Sequence, residues 1–281
     1  MLDNCIISGF ADEIDASLTR QIKVLQELGQ TYIEFRGANG LGVASHTLDT
    51  IREVKCALDL AGIKISAIGS PIGKISITDD FAPHFALFQH VVKIAKEMNT
   101  RYIRMFSFFI PEGHKPEQYE DEVMYRIGKF VEYAKTQDVV LLHENEKEIY
   151  GDNAARCLKL MERFYGKHFQ CIFDFANFIQ CKQDTLEAYE MLKPYIAYLH
   201  IKDAIWETGE VVPPGAGDGN LLPILKKLDE NGYEGFLSLE PHLANFGALP
   251  TLERHATIRK SNDGALAYAV AYEALSNILE R

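Results

Sequence analysis

Several things are scarce or missing in this chain, and each shortage excludes something. There are five cysteines, Cys5, Cys56, Cys157, Cys171 and Cys181, and no two have C-x-x-C spacing. An odd count without such pairs excludes a disulfide framework or a zinc finger and leaves reduced, mostly buried thiols. Basic residues are outnumbered, 29 Lys and Arg against 40 Asp and Glu, for a net charge of −11. Such a chain gains no general attraction to a phosphate backbone, so no nucleic-acid partner is expected. No apolar run approaches the roughly 18 residues of a membrane span, so no membrane partner is expected either. The opening "MLDNCIISGF" lacks a basic n-region and a long apolar run; no signal peptide is expected, and the cytoplasm is the expected compartment. The first turn, "SGFADEID", carries no G-x-G-x-x-G phosphate cradle. Low-complexity linkers and charge blocks are absent as well.

What is present is an alternation. With 47% hydrophobic and 25% charged residues the composition is that of a globular protein. Short runs rich in Ile, Val, Phe and Tyr occur at 4–10, 31–37, 63–69, 101–109, 139–146, 169–177, 197–203 and 235–241, and they predict strands. Amphipathic stretches separate them. "SLTRQIKVLQELG" places Leu18, Ile22, Leu25 and Leu28 at helical spacing and closes with Gly29, as a C-terminal cap does. Six more such stretches follow, and "GALAYAVAYEALSNILE" gives a last, very apolar helix. Eight strands and eight helices in strict order imply parallel pairing with right-handed crossovers. At this length they predict a (β/α)8 TIM barrel, one domain over residues 1–281, rather than a doubly wound open sheet.

In such a barrel the functional site lies at the C-terminal strand ends. Strand two ends in Glu34 and Arg36, strand five in "HENE" (143–146), strand six in "FDFAN" (173–177), strand seven in "HIKD" (200–203) and strand eight in "SLEPH" (238–242). Glu144, Asp174, His200 and Glu240 are expected at equivalent heights on four neighbouring strands. Three carboxylates cannot share a site as anions without a cation. Oxygen-rich ligands with one imidazole suit a divalent ion such as Mn²⁺ or Mg²⁺, with Co²⁺, Fe²⁺ or Zn²⁺ also compatible.

The motifs "LLHEN", "IFDFANF", "YLHIKDA", "VPPGAGDGNL" and "LSLEPH" make the whole chain resemble the xylose isomerase-like barrel superfamily, in particular its sugar phosphate isomerase/epimerase members. That group includes ketose 3-epimerases, hydroxypyruvate isomerase, inosose dehydratase and type IV apurinic endonucleases. The resemblance implies one divalent metal on Glu144, Asp174, His200 and Glu240, and a "P-x-G-x-G" loop at Pro214–Gly219. It also implies a ketose whose carbonyl and hydroxyl the ion would chelate, acidifying the C–H between them, with Glu144 and Glu240 as the catalytic carboxylates that would remove and return the proton through an enediolate. Two departures stand out. Asn177 takes the place of an epimerase histidine and Trp206 that of an epimerase arginine, which predicts a less polar pocket. The endonuclease's further metal ligands have no counterparts here.

Arg36, Asn177, Lys202, Trp206 and His242 are the substrate-binding candidates, with rim salt bridges or packing as the plainer roles. Glu146 shares the parity of Glu144 and is the reserve ligand; His143 has the opposite parity and is expected to be structural. Phe108 could cover a sugar face. His46, His84, His90, His168 and His255 receive no role. The expected activity is a metal-dependent sugar isomerase or epimerase. A dehydratase of the inosose or dehydroshikimate type and a metal-free sugar-binding barrel are the alternatives. The expected partner is a small sugar or polyol-derived molecule, a homodimer stays open, and no phosphate cradle follows strands seven or eight.

Overall fold

The computed structural model describes residues 1–245 and 262–281; His255, assigned no role above, lies outside them. Eight strands run in parallel: β1 (Ile6–Gly9), β2 (Tyr32–Phe35), β3 (Lys64–Ile68), β4 (Tyr102–Met105), β5 (Val140–Glu144), β6 (Phe169–Asp174), β7 (Ile196–Ile201) and β8 (Phe236–Leu239). Their order is β1-β8-β7-β6-β5-β4-β3-β2, and β1 packs beside β2, so the sheet curls into a nearly closed TIM barrel. Each predicted run contains its strand except the seventh, where β7 begins one residue earlier, at Ile196. The helices are α1 (Leu18–Leu28), α2 (Leu48–Leu60), α3 (Phe81–Glu97), α4 (Glu120–Gln137), α5 (Ala154–Phe164), α6 (Phe175–Gln180), α7 (Thr185–Leu192), α8 (Leu221–Glu230) and α9 (Gly264–Leu279). Gly29 ends α1 at φ 70°, a left-handed conformation that favours glycine. Thr47, Asp80, Asn153, Asp184 and Asp263 accept first-turn N–H groups, so the loop-to-helix boundaries are written in short polar side chains.

Two expectations need correction. Strand six was expected to run to residue 177 but stops at Asp174, whose Oδ1 accepts from the Asn177 N–H at 2.7 Å and starts α6. Asn177 therefore sits in a helical first turn rather than at a strand end. The four polar residues are also not at one height. Asp174 pairs with His200, and His200 with Ser238, whereas Glu144 pairs with Ile172. Glu144 is thus one pleat lower in register than Asp174, and Glu240 one pleat higher than the His200 row. Tilted strands in a closed barrel must stagger in this way, and the even offsets keep all four on the inward face.

The main core lies between sheet and helices, where Phe85, Phe88, Phe108 and Phe130 pack with ring centroids 4.8–6.1 Å apart. Inside the barrel, Ala67, Val140, Leu142, Ile172 and Tyr198 form a second buried cluster that plugs its lower half. Everything polar in the interior is forced to the upper half or into hydrogen bonds.

Candidate active site

One ligand atom from each of Glu144, Asp174, His200 and Glu240 falls within 4.8 Å of all the others, and all four residues are buried. His200 is the hub. Its Nδ1 lies 2.9 Å from Glu144 Oε1, 3.5 Å from Glu240 Oε2 and 3.9 Å from Asp174 Oδ2. Its Nε2 lies 3.0 Å from Glu34 Oε2, which also accepts from the Ser238 hydroxyl at 2.8 Å. Burial alone would lower the His200 pKa, but Glu144 and Glu34 outweigh it and raise it to about 10. Both ring nitrogens therefore donate, and the ring is an imidazolium held between carboxylates.

Lys202 follows His200 by two residues and enters the same focus. Its Nζ is 3.1 Å from both Asp174 Oδ2 and Glu240 Oε2. Burial pushes Asp174 up, with Glu240 and Glu144 adding to the effect against Lys202 and His200. For Glu240, burial is outweighed by Lys202, His242 and His200, and its carboxyl is held well below the usual range. Arg104, on β4, donates to Glu144 Oε2 at 3.2 Å and to the Gly69 carbonyl at 3.3 Å. The guanidinium of Arg104 lies 4.8 Å from the Phe10 ring centroid and that of Arg36 4.2 Å from it, so Phe10 is flanked by two cations.

Backbone chemistry fixes these side chains. The Asn145 amide bonds both backbone groups of Asp174, accepting from N–H at 2.9 Å and donating to C=O at 3.0 Å, and so ties the end of β5 to that of β6. Asp203 accepts N–H groups of Ala204, Gly215, Gly217 and Gly219 at 2.9–3.0 Å, which folds the predicted "P-x-G-x-G" loop around one carboxylate. A Cβ at Gly217 or Gly219 would meet Asp203 Oδ1 at 2.5 or 2.6 Å, so the loop closes only with glycine there.

The second ring of candidates divides. Arg36 binds Asp12 at 2.9 Å, Glu13 at 3.0 Å and Glu240 at 3.4 Å. His242 Nε2 lies 3.1 Å from Glu240 Oε1, and the His242 backbone N–H donates to Glu13 Oε2 at 2.7 Å. The Asn177 amide is 3.4 Å from Glu144 Oε1 and 2.9 Å from the Asn145 carbonyl, so it points at Glu144. Trp206 is half-buried against Ala176, Ile179 and Ala204, under the Lys182 ammonium. Glu146 does not join the cluster: it binds Lys74 at 3.0 Å. His143 is buried on the helix side next to Gly151 and Phe169, and burial lowers its pKa to about 3. Phe108 packs on Phe81 and Phe130, inside the core.

Sequence reasoning missed Arg104 and Glu13 and gave Glu34 and Asn145 no task. A signal existed for Arg104: a charged residue inside a strand of otherwise apolar inward positions needs a buried partner.

Comparison with known proteins gives the family. A stretch of 140 residues is 26% identical to inosose dehydratase of Clostridium perfringens, covering 42% of this chain and 47% of that protein, so the match spans about half the relative's length. Among solved structures, L-ribulose 3-epimerase superposes with a TM-score of 0.74 at 17% identity, over 98% of this chain and 95% of that one. The IolI protein with a bound zinc atom gives a TM-score of 0.75 at 14% identity, over 98% of both chains. The model of the xylose isomerase-like TIM barrel family matches residues 22–263, and the chain belongs to that family.

Proposed function

We propose that the chain, one barrel domain over residues 1–281, is a metal-dependent isomerase or epimerase of a sugar or polyol-derived ketone. The observation that carries this is the convergence of Glu144, Asp174, His200 and Glu240 within 4.8 Å. By ligand type the donor set fits a divalent ion; by charge, four buried carboxylates (Glu34, Glu144, Asp174, Glu240) already face four cationic groups (His200, Lys202, Arg104, Arg36), so an ion would take the place the Lys202 ammonium holds at the focus. If His200 gives up its Nδ1 proton while Glu34 holds the Nε2 proton, the ring presents a lone pair among three carboxylates, the usual support for a ligating histidine. Mn²⁺, Mg²⁺, Co²⁺ and Zn²⁺ all suit the set, and a zinc-binding protein of the same fold supports it. The ion would polarise the substrate's carbonyl and hydroxyl oxygens.

The remaining work falls to this chain's own residues. Glu144 and Glu240 enter the focus from β5 and from the end of β8. One removes the proton beside the carbonyl and the other returns it, to the opposite face or to the neighbouring carbon. Arg104 and Asn177 orient Glu144; Lys202, Arg36 and His242 orient Glu240 and keep it anionic. Trp206 offers an apolar wall. A second reading, dehydration, is favoured by the likeness to inosose dehydratase and by the Lys202 ammonium 3.1 Å from Glu240, which could protonate a departing hydroxyl. Turnover of a ketose and inosose panel in D₂O with Mn²⁺ separates the readings. Deuterium in the recovered sugar at constant mass otherwise supports proton return, and loss of water supports the lyase. Unchanged substrates, with no label and no bound metal, would refute both.

A further inference from the structure

One aromatic side chain serves the supports of both Glu144 and Glu240. Phe10 follows β1 and is fully buried, and its N–H donates to the Leu239 carbonyl at 3.0 Å, so it is anchored where β1 meets β8. Two guanidiniums lie over its ring, Arg36 at 4.2 Å and Arg104 at 4.8 Å from the centroid. Arg36 Nη1 reaches Glu240 Oε1 at 3.4 Å, and Arg104 Nη1 reaches Glu144 Oε2 at 3.2 Å. Each cation thus holds one oxygen of one carboxylate while resting on the same ring. The His200 imidazole meets that ring in a T-shaped contact, centroids 5.2 Å apart.

The surroundings are shaped for the ring. Gly69 follows β3, and a Cβ there would meet the Phe10 ring at 2.5 Å and Arg36 Cβ at 3.1 Å, so glycine is what leaves room. The Gly69 carbonyl accepts from Arg104 Nη2 at 3.3 Å. Arg104 Nε is buried with no hydrogen-bond partner among the described residues, and the guanidinium also lies 5.0 Å from the Phe106 ring centroid. Among those residues, one ion pair, one carbonyl and two π faces bind this buried cation. A ring face attracts a cation most where water does not reach it.

We infer that Phe10 is a positioning residue. Through Arg36 and Arg104 it fixes how Glu144 and Glu240 stand relative to each other, and so where a proton removed by one is returned by the other. This rests on the reading of those two as the reacting carboxylates. It requires no contact between Phe10 and substrate.

The test keeps the ring's shape and weakens its π face. In the full chain Phe10 is replaced by 4-fluoro-, 3,5-difluoro- and pentafluorophenylalanine, which attract cations progressively less. The enzyme is saturated with Mn²⁺ and given whichever ketose or inosose the wild type turns over. kcat should fall step by step, by about tenfold or more at the pentafluoro ring, the cost of two weakened cation–π contacts at a buried site. KM and the calorimetric Mn²⁺ affinity should stay within about threefold, because the contacts act on the reacting groups and not on ground-state binding. Phe10→Leu should lower kcat at least as much. Gly69→Ala, which keeps every charge but pushes the ring aside, should lower it too. A falling urea midpoint with a flat kcat would show a ring that only packs, and would overturn the inference. So would a raised KM at constant kcat, the mark of contact with substrate, or Mn²⁺ affinity lost in step with kcat, the mark of action through His200. The two ideas fail separately. Wild-type turnover with no response to fluorination sinks the positioning role alone, whereas a wild type that turns over none of the panel and binds no metal sinks the catalytic reading and the positioning role with it.

Discussion

The two halves of the barrel rim are built differently. The β5–β8 half contributes Glu144, Asp174, His200 and Glu240, whose donor atoms meet within 4.8 Å. The β1–β4 half contributes Glu34, Arg36 and Arg104, each of which reaches across to one of those four: Glu34 to His200 at 3.0 Å, Arg36 to Glu240 at 3.4 Å, Arg104 to Glu144 at 3.2 Å. On the proposed reading the first half gathers the reacting groups together with some of their supports (Lys202, Asn177, His242), and the second half supplies supports alone. The asymmetry teaches where specificity and reactivity can vary separately. Changes on the first half should abolish chemistry, and changes on the second should tune it.

The largest effect should come from the carboxylate pair. Glu144→Gln and Glu240→Gln keep volume and remove the base, and turnover under excess Mn²⁺ should fall by about 10²-fold or more. Near-wild-type rates in both would end the assignment. Next come the donors themselves. Asp174→Ala and His200→Ala should weaken divalent-ion binding beyond the roughly 10–100-fold that outer-shell changes cost, while Glu34→Gln should fall inside that range. Calorimetric titration with Mn²⁺ reads all three. Equal losses for Glu34→Gln and His200→Ala would erase the distinction between the halves.

The same asymmetry explains what was legible in the sequence. The β5–β8 residues sit in dense motifs at strand ends, "HEN", "FDFAN", "HIKD" and "SLEPH", so hydrophobic periodicity delivered both the barrel and the cluster. The β1–β4 residues are single charges within strands or turns. Glu34 becomes interpretable only when the sheet closes and brings β2 opposite β7, a long-range event with no local pattern, whereas Arg104 reaches Glu144 on the adjacent β5 and stood out only as a charge in an otherwise apolar strand. Strand stagger was invisible for the same reason: register depends on barrel tilt, not on composition. The early stop of β6 was legible in principle, because Asp174 three residues before Asn177 is an N-cap spacing, but the apolar run through Phe178 masked it.

A milder effect follows from His200. Its pKa is raised to about 10 in the metal-free protein because the Glu144 and Glu34 carboxylates outweigh burial. The stabilisation this represents is fully present below the unfolded pKa of roughly 6.5 and is lost as pH rises through about 10. The metal-free, chelator-treated protein should thus lose up to about 1.4 kcal/mol per pH unit between those values, seen as a falling urea midpoint from pH 7 to 9. Ion binding has the opposite slope, since Nδ1 must lose its proton: Mn²⁺ affinity should rise about tenfold per unit over the same window, with one proton released per ion. A pH-independent affinity would mean that His200 is already neutral or is not a donor.

The smallest effect is expected at Glu146, which shares the strand parity of Glu144 but belongs to neither group of donors. Its carboxylate binds Lys74 at 3.0 Å and lies 3.5 Å from Lys147. Burial would raise its pKa, yet Lys74, Lys147 and Lys202 together lower it to about 2. A group paired with Lys74 and Lys147, both outside the cluster, has no reason to leave them for an ion at His200. Glu146→Gln should cost stability on the order of 1–3 kcal/mol, because Lys74 keeps its charge in a mostly buried place and loses its anion. Because an amide oxygen can still accept from Lys74, the lower end of that range is expected. Mn²⁺ affinity should change by less than about threefold, below the range of outer-shell effects. A hundredfold loss of affinity in Glu146→Gln, with Glu144→Gln nearly silent, would mean that the functional register of β5 is two residues further along than the cluster places it.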